Sequence, residues 1–283
     1  MTVYRLLALD LDGTLLDAQG RVPPAHRDAV RQAMARGLEV VIATGRSWHE
    51  MVDIYQDLGL TTPAITLTGC QVVDARGRVL WEQRMDPAAA ERLAAWAEAG
   101  GYSLVAVLDS GDVVATCQAP DFGPWEHWNP FTRVVGPLGP LLRRRPPLLM
   151  AVYGRSACAA AAPLARDLPH TQAALWAPSA AEHVLCLWHR EADKGRALAA
   201  FCQSRGYRPE EVIAMGDSVI DIPMLTWAGV GVAMPGAEPG VRAAATLRLE
   251  GPDPWPVRTA LRRLGVLPAA ADGEVGGPAG VGS

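Results

Sequence analysis

The stretch Leu6–Leu16, which reads LLALDLDGTLL, decides the fold of this chain. Its first four residues are apolar, and a glycine turn at Gly13 follows shortly after them. A short, wholly apolar run that ends in a glycine turn predicts a strand buried on both faces, as in a parallel sheet. Asp10 and Asp12 come where this strand ends. Because residues i and i+2 of an extended chain point to the same side, we expect their carboxylates side by side.

A pair of neighbouring carboxylates indicates either a cation site or a solvated turn. Like charges so close together are unfavourable unless a cation lies between them or one carboxyl stays protonated. Mg²⁺ prefers oxygen ligands and is the expected cation. The alternative is a strand that simply ends in a solvated acidic turn, which a bare Asp-x-Asp pattern does not exclude.

Strand and helix patterns alternate at both ends of the chain. Near the N-terminus, a helix opened by Pro23 and closed by Gly37 leads into an apolar strand at 38–43, and 64–67 is read as a third strand. The alternation resumes at Lys194 with further helices and strands. This order predicts a doubly wound, mostly parallel α/β sheet with helices on both faces.

The middle of the chain has a different pattern, in which a helix followed by a hairpin occurs roughly twice. It predicts an inserted α+β domain over 84–188, within a core formed by 1–83 and 189–267. Residues 268–283 are mostly Gly, Ala and Pro with little to bury, and we expect a disordered tail. No structure is predicted for 119–140, which are rich in Pro and Trp.

Composition narrows the class of protein. The 283 residues, 49% of them hydrophobic, allow two domains. The net charge is -4 and the longest basic run is the Arg143–Arg145 triplet, so we expect no nucleic-acid partner. No apolar run reaches the length of a membrane span. Five dispersed cysteines and the lack of a signal peptide predict reduced thiols and a cytoplasmic location.

Polar residues follow other predicted strands as well. Thr44 comes after the second strand, and Asp217 and Asp221 follow the apolar segment 212–215. Open α/β sheets bind ligands beyond the carboxyl ends of their strands. We therefore expect Thr44 and Asp217 to form one set with Asp10 and Asp12.

Four segments, in order, resemble the motifs of the haloacid dehalogenase superfamily of phosphatases: DLDGTLL (10–16), ATGR (43–46), Lys194 at a helix start, and GDSVID (216–221). The inserted domain resembles the large cap of the Cof-like subgroup, which includes many sugar-phosphate phosphatases. The similarity extends over residues 4–267.

The resemblance implies a function and a role for each matched residue. It implies Mg²⁺-dependent hydrolysis of a small phosphorylated metabolite, with a sugar phosphate as the expected substrate. Asp10 is implied as the nucleophile and Asp12 as the general acid and base. The implied phosphate ligands are Thr44, Gly45 and Lys194. The implied Mg²⁺ ligands are Asp10, Asp217, the backbone carbonyl of Asp12 and, in or near that shell, Asp221.

Three departures from the subgroup's pattern each remove an asparagine near the site, at Thr68, Ile220 and Gly236. They motivate one alternative, a catalytically weakened relative that binds a phosphorylated ligand. A second alternative is a phosphotransferase or phosphomutase that uses the same site.

Some residues have two interpretations. Asp221 is either a metal-site residue or an acidic residue that stabilises a helix N-terminus. Trp125, His127 and Trp128 either contact the substrate, since aromatic faces stack on sugar rings, or pack within the inserted domain.

Overall fold

The computed structural model describes residues 4–109, 112–116, 132–134, 136–176 and 183–269. The chain forms two compact units. Unit 1 consists of Met1–Ala43, Ile54–Thr62 and Leu198–Ser283, and unit 2 consists of Thr44–Asp53 and Pro63–Ala197. The division into compact units does not test the predicted boundaries between the core and the inserted cap. The core over 1–83 and 189–267 and the cap over 84–188 therefore stay a prediction.

The described strands and helices follow in chain order. The strands are β1 (Leu6–Leu9), β2 (Glu39–Ile42), β3 (Ala64–Thr66), β4 (Gln71–Val73), β5 (Val79–Glu82), β6 (Leu104–Asp109), β7 (Asp112–Ala115), β8 (Thr132–Val134), β9 (Leu149–Tyr153), β10 (Thr171–Trp176), β11 (Val184–His189), β12 (Val212–Gly216), β13 (Val230–Ala233) and β14 (Leu247–Arg248). The helices are α1 (Pro24–Ala35), α2 (Trp48–Asp57), α3 (Pro87–Gly100), α4 (Leu138–Arg144), α5 (Arg155–Asp167), α6 (Lys194–Arg205), α7 (Ile222–Trp227), α8 (Pro239–Ala244) and α9 (Pro256–Arg263).

Unit 1 contains a parallel sheet with the strand order β14-β13-β12-β1-β2. The four residues of β1 are completely buried, as the apolar run predicts. In the register of β1 and β12, Leu9 lies opposite Met215, so both strands end at the same edge of the sheet. This alignment brings the residues that follow them, Asp10 and Asp217, to one place.

Unit 2 contains a six-stranded sheet with the order β10-β11-β9-β6-β7-β8, antiparallel except for the β7–β8 pair. Helix α3 buries one face on the core of this sheet, where Leu93 packs with Met150 and Val152. Asp86 caps α3 by accepting hydrogen bonds from the backbone N–H groups of Ala88 and Ala89 at 2.9 and 3.0 Å. The predicted alternation of helices and antiparallel hairpins is therefore present within the described part of this segment.

The Asp86 cap gives a stability prediction. Removing it with Asp86→Ala leaves two N–H groups of α3 without their side-chain acceptor, and we expect the free energy of unfolding to fall by about 1 kcal/mol. Urea denaturation followed by circular dichroism measures the change. Asp86→Ser keeps a capping oxygen and serves as the control. Equal losses in both variants would contradict the role of the cap.

One local expectation was wrong. The segment read as a third parallel strand forms β3, which instead pairs antiparallel with β4 in the sheet β3-β4-β5, because the chain reverses immediately after it. Helix α4 begins at Leu138, within the segment 119–140 for which no structure is predicted, and ends beyond that segment at Arg144. The glycine and prolines around its start concealed the helical pattern, and Arg143 and Arg144 form its last turn.

Two absences concern the described residues alone. None of their helices combines the length and the apolar character required to cross a membrane. Their four cysteines, Cys70, Cys158, Cys186 and Cys202, are free thiols.

Candidate active site

The turn that follows β1 carries the first two candidate residues. Asp10 is extended and 4% exposed. The turn Leu11–Leu15 follows it, has non-helical backbone angles at Asp12 and Gly13, and is closed by the hydrogen bond from Leu16 N–H to Leu11 C=O at 2.9 Å. Strand β1 ends at Leu9, but the backbone of Asp12 is again extended, with φ -74° and ψ 123°. The side-by-side placement of the two carboxylates stays a prediction. Asp12 is an exposed residue, whereas Asp10 is buried.

Three carboxylates of unit 1 converge at the end of the parallel sheet. Among the described residues, Asp10, Asp217 and Asp221 form the one group of three potential metal ligands, with one oxygen from each within 4.8 Å of the others. Asp10 is tied to β12 by its N–H, which donates to the Met215 carbonyl at 3.1 Å. The side chain of Asp12 is not part of this group.

Gly13 allows the Asp217 carboxylate to approach the turn. It adopts φ +78°, and a Cβ placed there would lie 2.2 Å from Oδ2 of Asp217. Thr14, the next residue, donates from its hydroxyl to Oδ1 of Asp217 at 3.4 Å. The turn after β1 therefore fixes the position of a carboxylate more than 200 residues away in the chain.

Asp221 holds the loop that carries Asp217. Its Oδ2 accepts hydrogen bonds from the N–H of Asp217, the N–H of Ser218 and the hydroxyl of Ser218, at 3.0, 3.0 and 3.2 Å. It is fully buried beneath Gly216, whose Cβ would lie 2.5 Å from the Asp221 Cβ. The hydrogen bonds of Oδ2 agree with the interpretation of Asp221 as an acidic residue at a helix N-terminus. These hydrogen bonds do not involve Ile220.

The donor set of this group fits a hard divalent cation. All three side chains offer carboxylate oxygens, the ligands that Mg²⁺ prefers. Two of them, Asp10 and Asp221, are buried, where neighbouring negative charges are stable only with a cation or a shared proton. Gly13 and Gly216 leave the room that this packing of carboxylates requires.

The predicted phosphate ligands Thr44 and Lys194 are both fully buried residues of unit 2. The N–H of Thr44 donates to the Ile65 carbonyl at 2.9 Å, and its Oγ1 accepts from the N–H of Arg46 at 3.1 Å. The Thr44 hydroxyl therefore accepts one hydrogen bond from the main chain. Arg46 itself donates to the Glu50 carbonyl at 3.4 Å.

Thr44 and Lys194 lie against the same short turn, Leu67–Gly69. The N–H of Thr68 donates to the Thr44 carbonyl at 3.0 Å. On its other side the turn touches the start of α6, because a Cβ on Gly69 would lie 2.3 Å from the Asp193 carbonyl carbon and 2.7 Å from the Lys194 nitrogen. Two residues 150 positions apart in sequence are thus connected through three intervening residues.

Cys70 follows this turn directly. Cys70 is buried, and burial raises the pKa of its thiol to about 12, although a contact with the Thr68 hydroxyl at 3.8 Å lowers it. Cys70 therefore stays protonated and is no candidate nucleophile.

Some predictions fall outside the described residues: the substrate contacts proposed for Trp125, His127 and Trp128, and positions 270–283 of the expected tail. Conversely, the sequence analysis did not single out Thr14 and Ser218. Both lie within the motifs quoted above, and their position next to Gly13 and Asp217 was the available signal.

Comparison with known proteins identifies the family. A model of the haloacid dehalogenase-like hydrolases matches residues 7–250. The chain is 31% identical over 264 residues to the pyridoxal phosphate phosphatase YbhA of Escherichia coli, a match that covers 86% of this chain and 92% of the relative.

Two solved structures share the fold. The phosphatase BT1666 of Bacteroides thetaiotaomicron superposes with a TM-score of 0.79 at 25% identity, covering 94% of this chain and 97% of that one. The subclass IIB sugar phosphatase BT4131 superposes with a TM-score of 0.80 at 22% identity, covering 93% and 100%. Since the family model covers most of its length, the chain belongs to the haloacid dehalogenase-like hydrolases, as a Cof-like phosphoric monoester hydrolase.

Proposed function

We propose that the chain hydrolyses a small phosphomonoester in a Mg²⁺-dependent reaction, with Asp10 as the nucleophile. The observation that carries the proposal is the convergence of Asp10, Asp217 and Asp221 within 4.8 Å at the carboxyl ends of β1 and β12. A nucleophilic carboxylate has to approach an anionic phosphate, and a bound Mg²⁺ would neutralise charge on both. Asp10, Asp217 and the Asp12 carbonyl are proposed to hold it, with Asp221 behind them.

The proposed reaction has two steps. In the first, a carboxylate oxygen of Asp10 forms a bond to phosphorus while the bond from phosphorus to the leaving oxygen breaks, and Asp12 donates its proton to that oxygen. In the second, Asp12 takes a proton from water, whose oxygen attacks phosphorus and releases Asp10. The products are an alcohol and inorganic phosphate. The exposure of Asp12 suits proton exchange with solvent between turnovers.

Thr44, Gly45 and Lys194 are proposed to bind the oxygens of the same phosphoryl group. The Thr44 hydroxyl donates one hydrogen bond, and the Lys194 ammonium supplies a compact positive charge. Positioning and neutralisation of the phosphoryl charge provide most of the rate enhancement in phosphoryl transfer.

A sugar phosphate is the proposed substrate. Pyridoxal phosphate is the principal alternative substrate, because the chain is similar to the pyridoxal phosphate phosphatase YbhA. The proposed location is the cytoplasm. The two substrates differ in the leaving group, which is an alkyl hydroxyl in both but is attached to an aromatic ring system only in pyridoxal phosphate. Comparing kcat/KM across a panel of phosphorylated metabolites separates them.

Removal of the metal tests the proposal. We expect EDTA to lower phosphate release from p-nitrophenyl phosphate at least about a hundredfold, because the carboxylates of Asp10, Asp217 and Asp221 repel the phosphate when no cation is bound. Excess Mg²⁺ is expected to restore the release. Release that is unaffected by EDTA would contradict the metal dependence. Transfer of the phosphoryl group to an added sugar in place of water would identify a phosphotransferase. Ligand binding without release would identify a weakened relative.

A further inference from the structure

The turn Leu67–Gly69 has an unusual backbone. Its residues have φ values of +50°, +59° and +98° in succession. The backbone of L-residues other than glycine rarely adopts this left-handed region, and a β-branched residue such as Thr68 is among the least suited to it. Strained residues of this kind persist only where their surroundings enforce them, and they cluster at functional sites.

Hydrogen bonds on one side hold the turn in this conformation. Leu67 N–H donates to the Arg46 carbonyl at 2.9 Å, and Thr68 N–H donates to the Thr44 carbonyl at 3.0 Å. Both bonds link the turn to the segment that contains Thr44. The Thr68 hydroxyl donates to the Leu67 carbonyl at 2.6 Å, so it stabilises the turn and is not directed to a ligand.

Close packing holds the turn on the other side. Gly69 touches the backbone of Asp193 and Lys194 so closely that a Cβ would lie 2.3–2.7 Å from three of their atoms. Backbone atoms cannot move aside as the end of a flexible side chain can. The start of α6 therefore sits at a fixed separation from Thr44, and the turn defines that separation.

We propose that the Leu67–Gly69 turn is a positioning element that sets the spacing between Thr44 and Lys194, with Thr68 as its positioning residue. This inference rests on the proposed role of Thr44 and Lys194 as phosphate ligands. The left-handed conformation is what makes three residues short enough to contact both segments. Relaxing the turn would separate the two ligands without removing either.

Gly69→Ala tests the packing side of the turn. The variant is expected to raise KM and the inhibition constant of inorganic phosphate at least about tenfold, since misplaced ligands bind the phosphoryl group poorly. The control is Gly229→Ala in unit 1, where the added Cβ would lie 2.5 Å from the Glu210 Cα, a comparable backbone clash. It is expected to lower the melting temperature while the phosphate inhibition constant stays unchanged.

Thr68 variants test the other side and keep the experiment decisive if Gly69→Ala does not fold. Thr68→Val keeps the branched shape but loses the hydrogen bond to Leu67, and we expect KM and the phosphate inhibition constant to rise about threefold or more. Thr68→Asn introduces a residue that tolerates the left-handed region. It is expected to restore phosphate binding and to raise the melting temperature above that of Thr68→Val.

The outcomes separate this inference from the proposed function. Loss of stability in Gly69→Ala and Thr68→Val with wild-type inhibition by phosphate would overturn the positioning role. If Lys194→Met also leaves phosphate inhibition unchanged, the proposed phosphate site itself is wrong. If Lys194→Met abolishes inhibition while the turn variants do not affect it, only the inference about the turn fails.

Discussion

Asp10→Asn is expected to lower kcat by at least about 10⁴-fold, because an amide cannot form the covalent bond to phosphorus that the proposed mechanism requires. The substitution keeps the size of the side chain, so the loss reports on chemistry. Release of phosphate from p-nitrophenyl phosphate, followed to low rates with a large excess of enzyme, measures it. Asp17→Asn, in an exposed turn, is the matched control and should keep the wild-type kcat.

Asp10→Asn should be more stable than the wild type when Mg²⁺ is absent. Asp10 lies within 4.8 Å of two other carboxylates, and removing one charge relieves their repulsion. We expect the melting temperature in EDTA to rise and the stabilisation by added Mg²⁺ to shrink. A fall in both kcat and the melting temperature in EDTA would indicate that the substitution disrupts the fold instead.

Asp12→Asn distinguishes the two proposed aspartate roles. A p-nitrophenolate leaves without a proton, whereas a sugar alkoxide requires one. The proposed general acid therefore matters more for formation of the aspartyl-phosphate from the sugar phosphate. An equal loss of rate in that step for both substrates would contradict the role of Asp12 as the acid.

Gly13→Ala is expected to have the second-largest effect. The alanine Cβ would lie 2.2 Å from Oδ2 of Asp217, so either the carboxylate or the turn that carries Asp12 has to move. We expect kcat/KM to fall at least about a hundredfold, since small displacements of reacting groups cost this much. The apparent affinity for Mg²⁺, titrated by its effect on the melting temperature, should fall at the same time.

Gly37→Ala is the control for the backbone strain that an alanine causes at a positive φ. Gly37 has φ +91°, comparable with the +78° of Gly13, but nothing lies within 4 Å of the position that a Cβ would occupy there. Both variants carry the strain of a left-handed alanine, and only Gly13→Ala disturbs a carboxylate. Equal kinetic losses in the two variants would refute the argument from the clash.

The sequence predicted the parallel sheet because its pattern is local. An apolar run such as Leu6–Leu9 can be buried only between layers, and helices between such runs require parallel strands. The same reasoning failed for the segment 64–67, whose partner strand is chosen by the reversal of the chain after it. It gave no assignment for α4, where proline and glycine masked the helical period.

What the sequence determined by itself is the family, the parallel α/β sheet and the residue types available for chemistry. The strand ends predicted that Asp10 and Asp217 lie together, and the register of β1 and β12 is the physical reason. Only the tertiary structure decided that Asp221 completes the group and that the Asp12 side chain is not part of it. It also showed that Asp12 faces solvent, that Asp221 holds its own loop, and that Thr68 is strained. The Asp221 hydrogen bonds are local, since they span only three or four residues. The meeting of Asp10 with Asp217 and the strained turn at Thr68 depend on packing between segments distant in sequence, which a local pattern does not specify.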